Sequence, residues 1–228
     1  MTVEEYFGDW SEVLDINMAN VLLKKAVSYH KALCPLPRDV FKAFKLCSFN
    51  NLKVVILGQD PYCNYTNGVP VATGIAFANS RNTKEENYSP SLEKLKESFI
   101  DYTIPHRLVN FDISLEKLEA QGVLLLNAAL TCEKGKIGSH LLMWRPFIIK
   151  FLSLLSFKVP DITYVLLGST AQSFRPYIKV SDEFIIESKH PSWYVRTKTR
   201  MPSDIWRKVN KNLKFHYNTK IEWFEEEK

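Results

Sequence analysis

The chain has 228 residues, 46% of them hydrophobic, with four cysteines and a net charge of +5. That length and core content suit one domain spanning residues 1–228. No apolar stretch approaches a membrane span, MTVEEYFGDW is no signal peptide, and Cys34, Cys47, Cys63 and Cys132 form no CxxC pair, which points to a reducing setting, cytoplasmic or nuclear, rather than a secreted disulfide scaffold.

Taken in chain order, Leu14, Met18, Val21, Leu22 and Val27 recur near helical spacing and predict a helix over 11–33. The CPLP stretch breaks it, and Pro37 opens a short helix through Phe41 and Phe44. The run VVIL predicts a first strand at 53–57, followed by an Asn-, Gly- and Pro-rich loop at 61–74. Ser89-Pro90-Ser91 starts a helix reaching Phe99, with Ser89 or Ser91 as its N-cap and Glu93 and Glu97 suited to its early turns. Three further pairs follow: helix 114–120 into strand 122–127, helix 144–156 into strand 163–167, and helix 170–177 into strand 183–187. His190 and its neighbours read as a loop, and a last helix covers 203–213. Short buried strands alternating with helices imply an α/β fold, three layers α/β/α around a central, mostly parallel four-stranded sheet.

Each apolar run ends in polar residues, and in such a sheet the carboxyl edge is where ligands bind. After the first comes Gly58-Gln59-Asp60-Pro61-Tyr62; the second ends in Asn127; the third in Gly168-Ser169; the fourth is followed by His190-Pro191-Ser192. A lone carboxylate at Asp60 can polarise a water or stabilise positive charge developing on a sugar, though Asp before Pro is equally a turn former. A buried carboxamide at Asn127 must pair both its oxygen and its nitrogen. Uracil offers N3–H and O4 to match, whereas cytosine reverses both, and each mispaired buried group costs about 1–3 kcal/mol. An Asn that caps a turn fits the position as well. A neutral His190 can donate to a carbonyl oxygen gaining negative charge, and Phe77 can stack on a base; a structural His and a core Phe are the plain alternatives. Tyr62 can close the pocket where a 5-methyl group would project. His30, His106, His140 and His216 show no ligand spacing, so no metal is expected. Residues 189–214 carry eight lysines and arginines against Asp204 alone, interleaved with Trp193, Tyr194 and Trp206, a pattern that suits a nucleic acid or a solvated helix face.

ILGQDPY at 56–62, GIAF at 74–77, SPSL at 89–92, GVLLLNAALT at 122–131, LLGSTAQ at 166–172 and HPS at 190–192 resemble the family-1 uracil-DNA glycosylases, and the likeness runs from about residue 10 to 223. The resemblance implies a monofunctional DNA repair hydrolase that flips uracil out of DNA and cuts its N-glycosidic bond, leaving an abasic site. It implies no cofactor, a monomer, DNA as partner, and susceptibility to a DNA-mimicking protein inhibitor. Asp60 and His190 match the catalytic pair. Gln59, Tyr62, Phe77 and Asn127 match the uracil-binding residues. Ser89, Pro90, Ser91, Ser169 and Ser192 match the segments that grip DNA phosphates.

The chain also departs from that pattern. Cys63 stands where the family usually has histidine, and the following loop, NYTNGVPVAT, is longer. HPSWYV places Tyr194 at the wedge position that fills the vacated base stack, with Trp193 beside it, and RTKTRMPSDIW replaces the usual stretch after it. Four cysteines without an N-terminal CxxC do not fit an iron–sulfur cluster. Two alternatives remain open on the sequence: the same chemistry on another modified base, or a DNA-binding accessory that has lost catalysis.

Overall fold

Four runs of Val, Ile and Leu too short for helices form the central sheet of the computed structural model, which describes residues 7–29, 32–101 and 109–226. Strands β1 (Val54–Gly58), β2 (Val123–Asn127), β3 (Thr163–Leu167) and β4 (Ile185–Ser188) lie in the order β2-β1-β3-β4, and every pairing among them is parallel. Each lies within two residues of its sequence run. Alternation along the pleat splits the core in two. On one face Val55, Leu57, Leu124, Leu126, Tyr164 and Leu166 pack with α1 (Ile16–Tyr29), α2 (Lys42–Leu46) and α5 (Leu141–Lys158). On the other, Val54, Ile56, Val123, Leu125, Val165 and Leu167 pack with α3 (Pro90–Asp101), α4 (Glu116–Ala120) and α8 (Asp204–Tyr217). The three-layer α/β/α expectation holds.

The outer edge of β2 is closed by single groups instead of another strand. The fully buried Glu119 accepts from Leu125 N at 3.0 Å, and Ala76 N donates to Leu125 O at 3.1 Å. Both bonds use backbone groups that would otherwise be orphaned.

Four local features differ from expectation. The first helix begins at Ile16, not 11, because Asp15 Oδ1 accepts from Met18 N at 2.9 Å and caps it; Gly8–Glu12 form a separate 3-10 turn. Residues 30 and 31 of the expected helix lie outside the described residues. The loop at 61–74 contains a hairpin, Tyr65–Thr66 against Val69–Pro70, turned by Asn67 and Gly68, both at positive φ. Asn-Gly is the preferred dipeptide for that turn. The stretch after His190 is helix α7 (Pro191–Thr197), not a loop, with Pro191 at its first position and the His190 side chain accepting from Ser192 N. The short α6 (Ser169–Gln172) ends early and gives way to a 3-10 turn at Arg175–Tyr177.

Candidate active site

Register delivers the site. Gly58 and Asn127 are paired neighbours at the carboxyl ends of β1 and β2, and Leu167 pairs with Ser188 at the ends of β3 and β4. The chain continuing from these ends lines one cavity of about 430 Å³, with Gln59, Asp60, Tyr62, Phe77, Asn127 and His190 in its wall. Two glycines permit the close approach. A Cβ on Gly58 would stand 2.6 Å from Asn127 Oδ1 and 2.7 Å from Phe77 Cζ. Gly168 has φ +90°, and a Cβ there would meet His190 Cβ at 2.7 Å.

Each side chain is held for one task. Asp60 Oδ2 accepts from Gly138 N at 2.6 Å. Burial pushes the Asp60 carboxyl above its ordinary value, while the bonds from Gly138 and Gln59 pull the other way. Gln59 is itself oriented by Thr170, whose hydroxyl donates to Gln59 Oε1 at 3.2 Å. The backbone at Ser192 is an obligate donor to His190 Nδ1 at 3.2 Å, so Nδ1 accepts and the ring proton sits on Nε2. Burial, helped by the charge of Arg196, lowers His190 to about 4, so the imidazole is neutral near pH 7. Phe77 sits at φ +66°, a strained conformation for a side-chain-bearing residue, and its ring centroid lies 5.6 Å from that of His190. Tyr62 Oη donates to Phe77 O at 2.9 Å. Asn127 is 9% exposed, and its carboxamide has no hydrogen-bond partner among the described residues. A carboxamide without a protein partner that opens on a cavity is free to read a ligand.

Other sequence-predicted residues separate into groups. Ser91 and Ser192 line the cavity; Ser89, Pro90, Ser169, Trp193 and Tyr194 do not. The Ser89 hydroxyl is turned inward, accepting from Asn79 Nδ2 at 2.9 Å. Tyr194, expected to protrude, is 6% exposed, packs in the core and pairs its hydroxyl with Ser188 Oγ at 3.2 Å. Helix geometry explains the correction: adjacent residues on α7 point about 100° apart, so Tyr194 faces inward while Trp193 faces solvent. Trp206 is likewise fully buried, against Phe99 and Trp223, so of the three aromatics in the basic segment only Trp193 is available to stack. All eight basic side chains of that segment are exposed.

Sequence reasoning missed Gly138 and Arg196. Nothing local marks the first; the second stood in the basic run but carried no sign of facing the cavity. Cys63 also lines it, and burial and the charge of Asp60 push its thiol up, which keeps it protonated. Among the described residues no group of three or more His, Cys, Asp or Glu could hold a metal ion, and no helix is long and apolar enough to cross a membrane.

The chain is similar to known proteins. The sequence model of the uracil DNA glycosylase superfamily matches residues 44–214. The uracil-DNA glycosylase of Mycoplasmopsis pulmonis is 34% identical over 209 residues, covering 85% of this chain and 84% of that protein. That of Amoebophilus asiaticus is 34% identical over 200 residues, covering 87% of each. The crystal structure of mimivirus uracil-DNA glycosylase has the same fold, at TM-score 0.72 and 23% identity over 96% of this chain and 90% of that one. The chain belongs to the uracil-DNA glycosylase superfamily. Its activity is excision of uracil from DNA by hydrolysis of the N-glycosidic bond, in base excision repair and without lyase chemistry, and neither alternative reading is favoured.

Proposed function

We propose that the cavity receives a uracil extruded from DNA, read by Asn127 and cleaved through Asp60 and His190. The carrying observation is the convergence of a carboxamide open to the cavity, a held carboxylate and a neutral imidazole on one cavity at the sheet's carboxyl edge. In this reading Asn127 Oδ1 accepts from uracil N3–H while Nδ2 donates to O4. Phe77 stacks on the base, and Tyr62 fills the space beyond C5. The Gln59 backbone helps seat the base. As the bond to the sugar breaks, negative charge grows on uracil O2 and is met by the Nε2–H of His190. Asp60, ionised and fixed through Oδ2, steadies the cationic sugar and orients the attacking water with its other oxygen. Cys63, a protonated thiol, takes no proton from that water.

Pro90 at the N-terminal turn of α3 and Ser169, both outside the cavity, with Ser91 and Ser192 in its wall, are the candidates to contact DNA phosphates, a task that small hydroxyls and backbone N–H groups suit. Trp193 replaces Tyr194 as the residue that enters the vacated stack. Extrusion costs a few kcal/mol, which these contacts offset. A mimivirus UNG variant that shares the fold, at TM-score 0.76 and 22% identity over 95% of this chain and 88% of that one, is crystallised in complex with UGI. The same face of this chain is the place for such an inhibitor, and the chain acts as a monomer.

The test is a uracil-containing oligonucleotide treated with purified protein and then alkali. Wild type gives strand scission, and Asp60→Asn slows the rate by ~10²–10⁴-fold, the usual worth of a positioned acid or base. No scission at high wild-type concentration rejects the reading, and an unchanged rate in the variant removes Asp60 from the chemistry.

A further inference from the structure

The chain that leaves β2 returns to Asp60 in a short loop, residues 134–139, which follows the pairing of Cys132–Glu133 with Leu33–Cys34. Glu133 and Lys136 close the loop, Lys136 N donating to Glu133 O at 3.0 Å and the two side chains forming an ion pair at 2.8 Å. Glu133 N also donates to Ser139 Oγ at 2.8 Å. Gly135 and Gly138 stand at φ +75° and +74°, which lets the chain turn twice within four residues. Both glycines donate to the segment that follows β1. Gly135 N reaches Cys63 O at 2.8 Å, and Gly138 N reaches Asp60 Oδ2 at 2.6 Å.

Between these two anchors the loop carries Ile137. It is 74% exposed and yet belongs to the cavity wall, so it stands at the mouth. Single exposed aliphatics are common and by themselves carry no message. This one is pinned on both sides to the catalytic segment, and the peptide that joins it to Gly138 supplies the N–H that fixes Asp60. The part of a substrate that meets Asp60 therefore passes beside Ile137. With the base seated against Asn127 and Phe77, that part is the sugar.

We propose that Ile137 is a substrate-contact residue, which covers the deoxyribose of the extruded nucleotide while Asp60 faces its reacting carbon. The proposal rests on the uracil reading of the cavity. An aliphatic cover takes solvent away from the sugar as positive charge grows there. Asp60 then acts on that charge through a medium of lower dielectric, and the one water it orients is the one that attacks.

The experiment measures kcat/KM on a single-stranded uracil oligonucleotide, its pH dependence, and inhibition by free uracil, for wild type, Ile137→Ala and Ile137→Leu. Free uracil has no sugar, so it probes the base pocket alone. Ile137→Ala should lower kcat/KM by ~10-fold, the low end of what a methylene is worth in a pocket, and leave the inhibition constant of uracil and the acid limb of the rate where they were. The position is exposed, so folding is not at stake. Ile137→Leu keeps the apolar bulk and should stay close to wild type. An unmoved kcat/KM in Ile137→Ala overturns the contact. Uracil inhibition that weakens in step with kcat/KM overturns it too, because the loop would then be shaping the base pocket; a displaced acid limb does the same, because the loop would then act through Asp60. A wild-type chain that leaves uracil in DNA overturns the reading of the cavity and this role with it, whereas the other failures, seen in an active enzyme, overturn the role of Ile137 alone.

Discussion

Two titrating side chains set the chemistry, and their shifts have opposite signs. Asp60 must be ionised, and burial raises its carboxyl above 3.8. The rate should therefore fall as pH drops through a value above the ordinary one. His190 must be neutral, and it stays so until the pH falls close to its value of about 4. A pH–rate profile of the first turnover should show its loss at acid pH and no limb near 6.5; a break at 6.5 would contradict the neutral imidazole. Steric exclusion acts at the same scale. Gly58→Ala would thrust a methyl group to within 2.7 Å of both Asn127 and Phe77, and one of them must move. A displacement of about 1 Å in a positioning group costs on the order of 10²-fold, so kcat/KM on uracil-DNA should drop by about that factor while thermal stability changes little in comparison.

At the scale of elements, α7 is the part that the sequence conceals. A proline after His190 looks like loop chemistry, yet proline is equally at home at the first position of a helix. Once the helix forms, its periodicity decides which aromatic faces the core. Trp193→Ala should slow excision from double-stranded DNA more than from single strands, because only the duplex demands that a vacated stack be filled; equal slowing on both would deny Trp193 that part. Tyr194→Ala should instead cost about 3 kcal/mol of stability, as expected for emptying a buried aromatic site, and denaturant unfolding distinguishes the two. The hairpin at Tyr65–Pro70 was spelled out by Asn67-Gly68 and went unrecognised because its flanking strands are only two residues long. Too few residues alternate there to display a period.

Across the whole molecule, one buried acid ties the edge of the sheet to its stability. Glu119 has no exposed surface, and burial holds its carboxyl well above the ordinary range, which favours its neutral form in the fold. Its folded value exceeds its unfolded one. The stability it contributes is therefore complete below the unfolded value and is lost as pH rises through the folded one. Glu119→Gln keeps an oxygen acceptor for Leu125 N without the titration, and should flatten the dependence of the denaturant midpoint on pH. Glu119→Ala leaves that N–H buried and unpaired, and should cost about 1–3 kcal/mol at every pH. A Gln variant with the wild-type pH dependence would move its origin elsewhere.

The strands, the order of their polar ends and the basic segment were legible in the chain itself, because short apolar runs between helical patterns have few ways to fold other than a doubly covered parallel sheet. Asp60, Tyr62, Asn127 and His190 could be named in advance for the same reason, that strand ends in such a sheet share one edge, whereas Gln59 and the stacking role of Phe77 were implied by the family resemblance. Whether a residue near that edge reaches the cavity depends instead on side-chain direction and on partners distant in sequence. Ser89 turns inward because Asn79 clamps it, Tyr194 turns inward because α7 is a helix, and Gly138 reaches Asp60 across 78 positions of chain. Such choices follow from packing, and packing exists only once the layers have closed on one another.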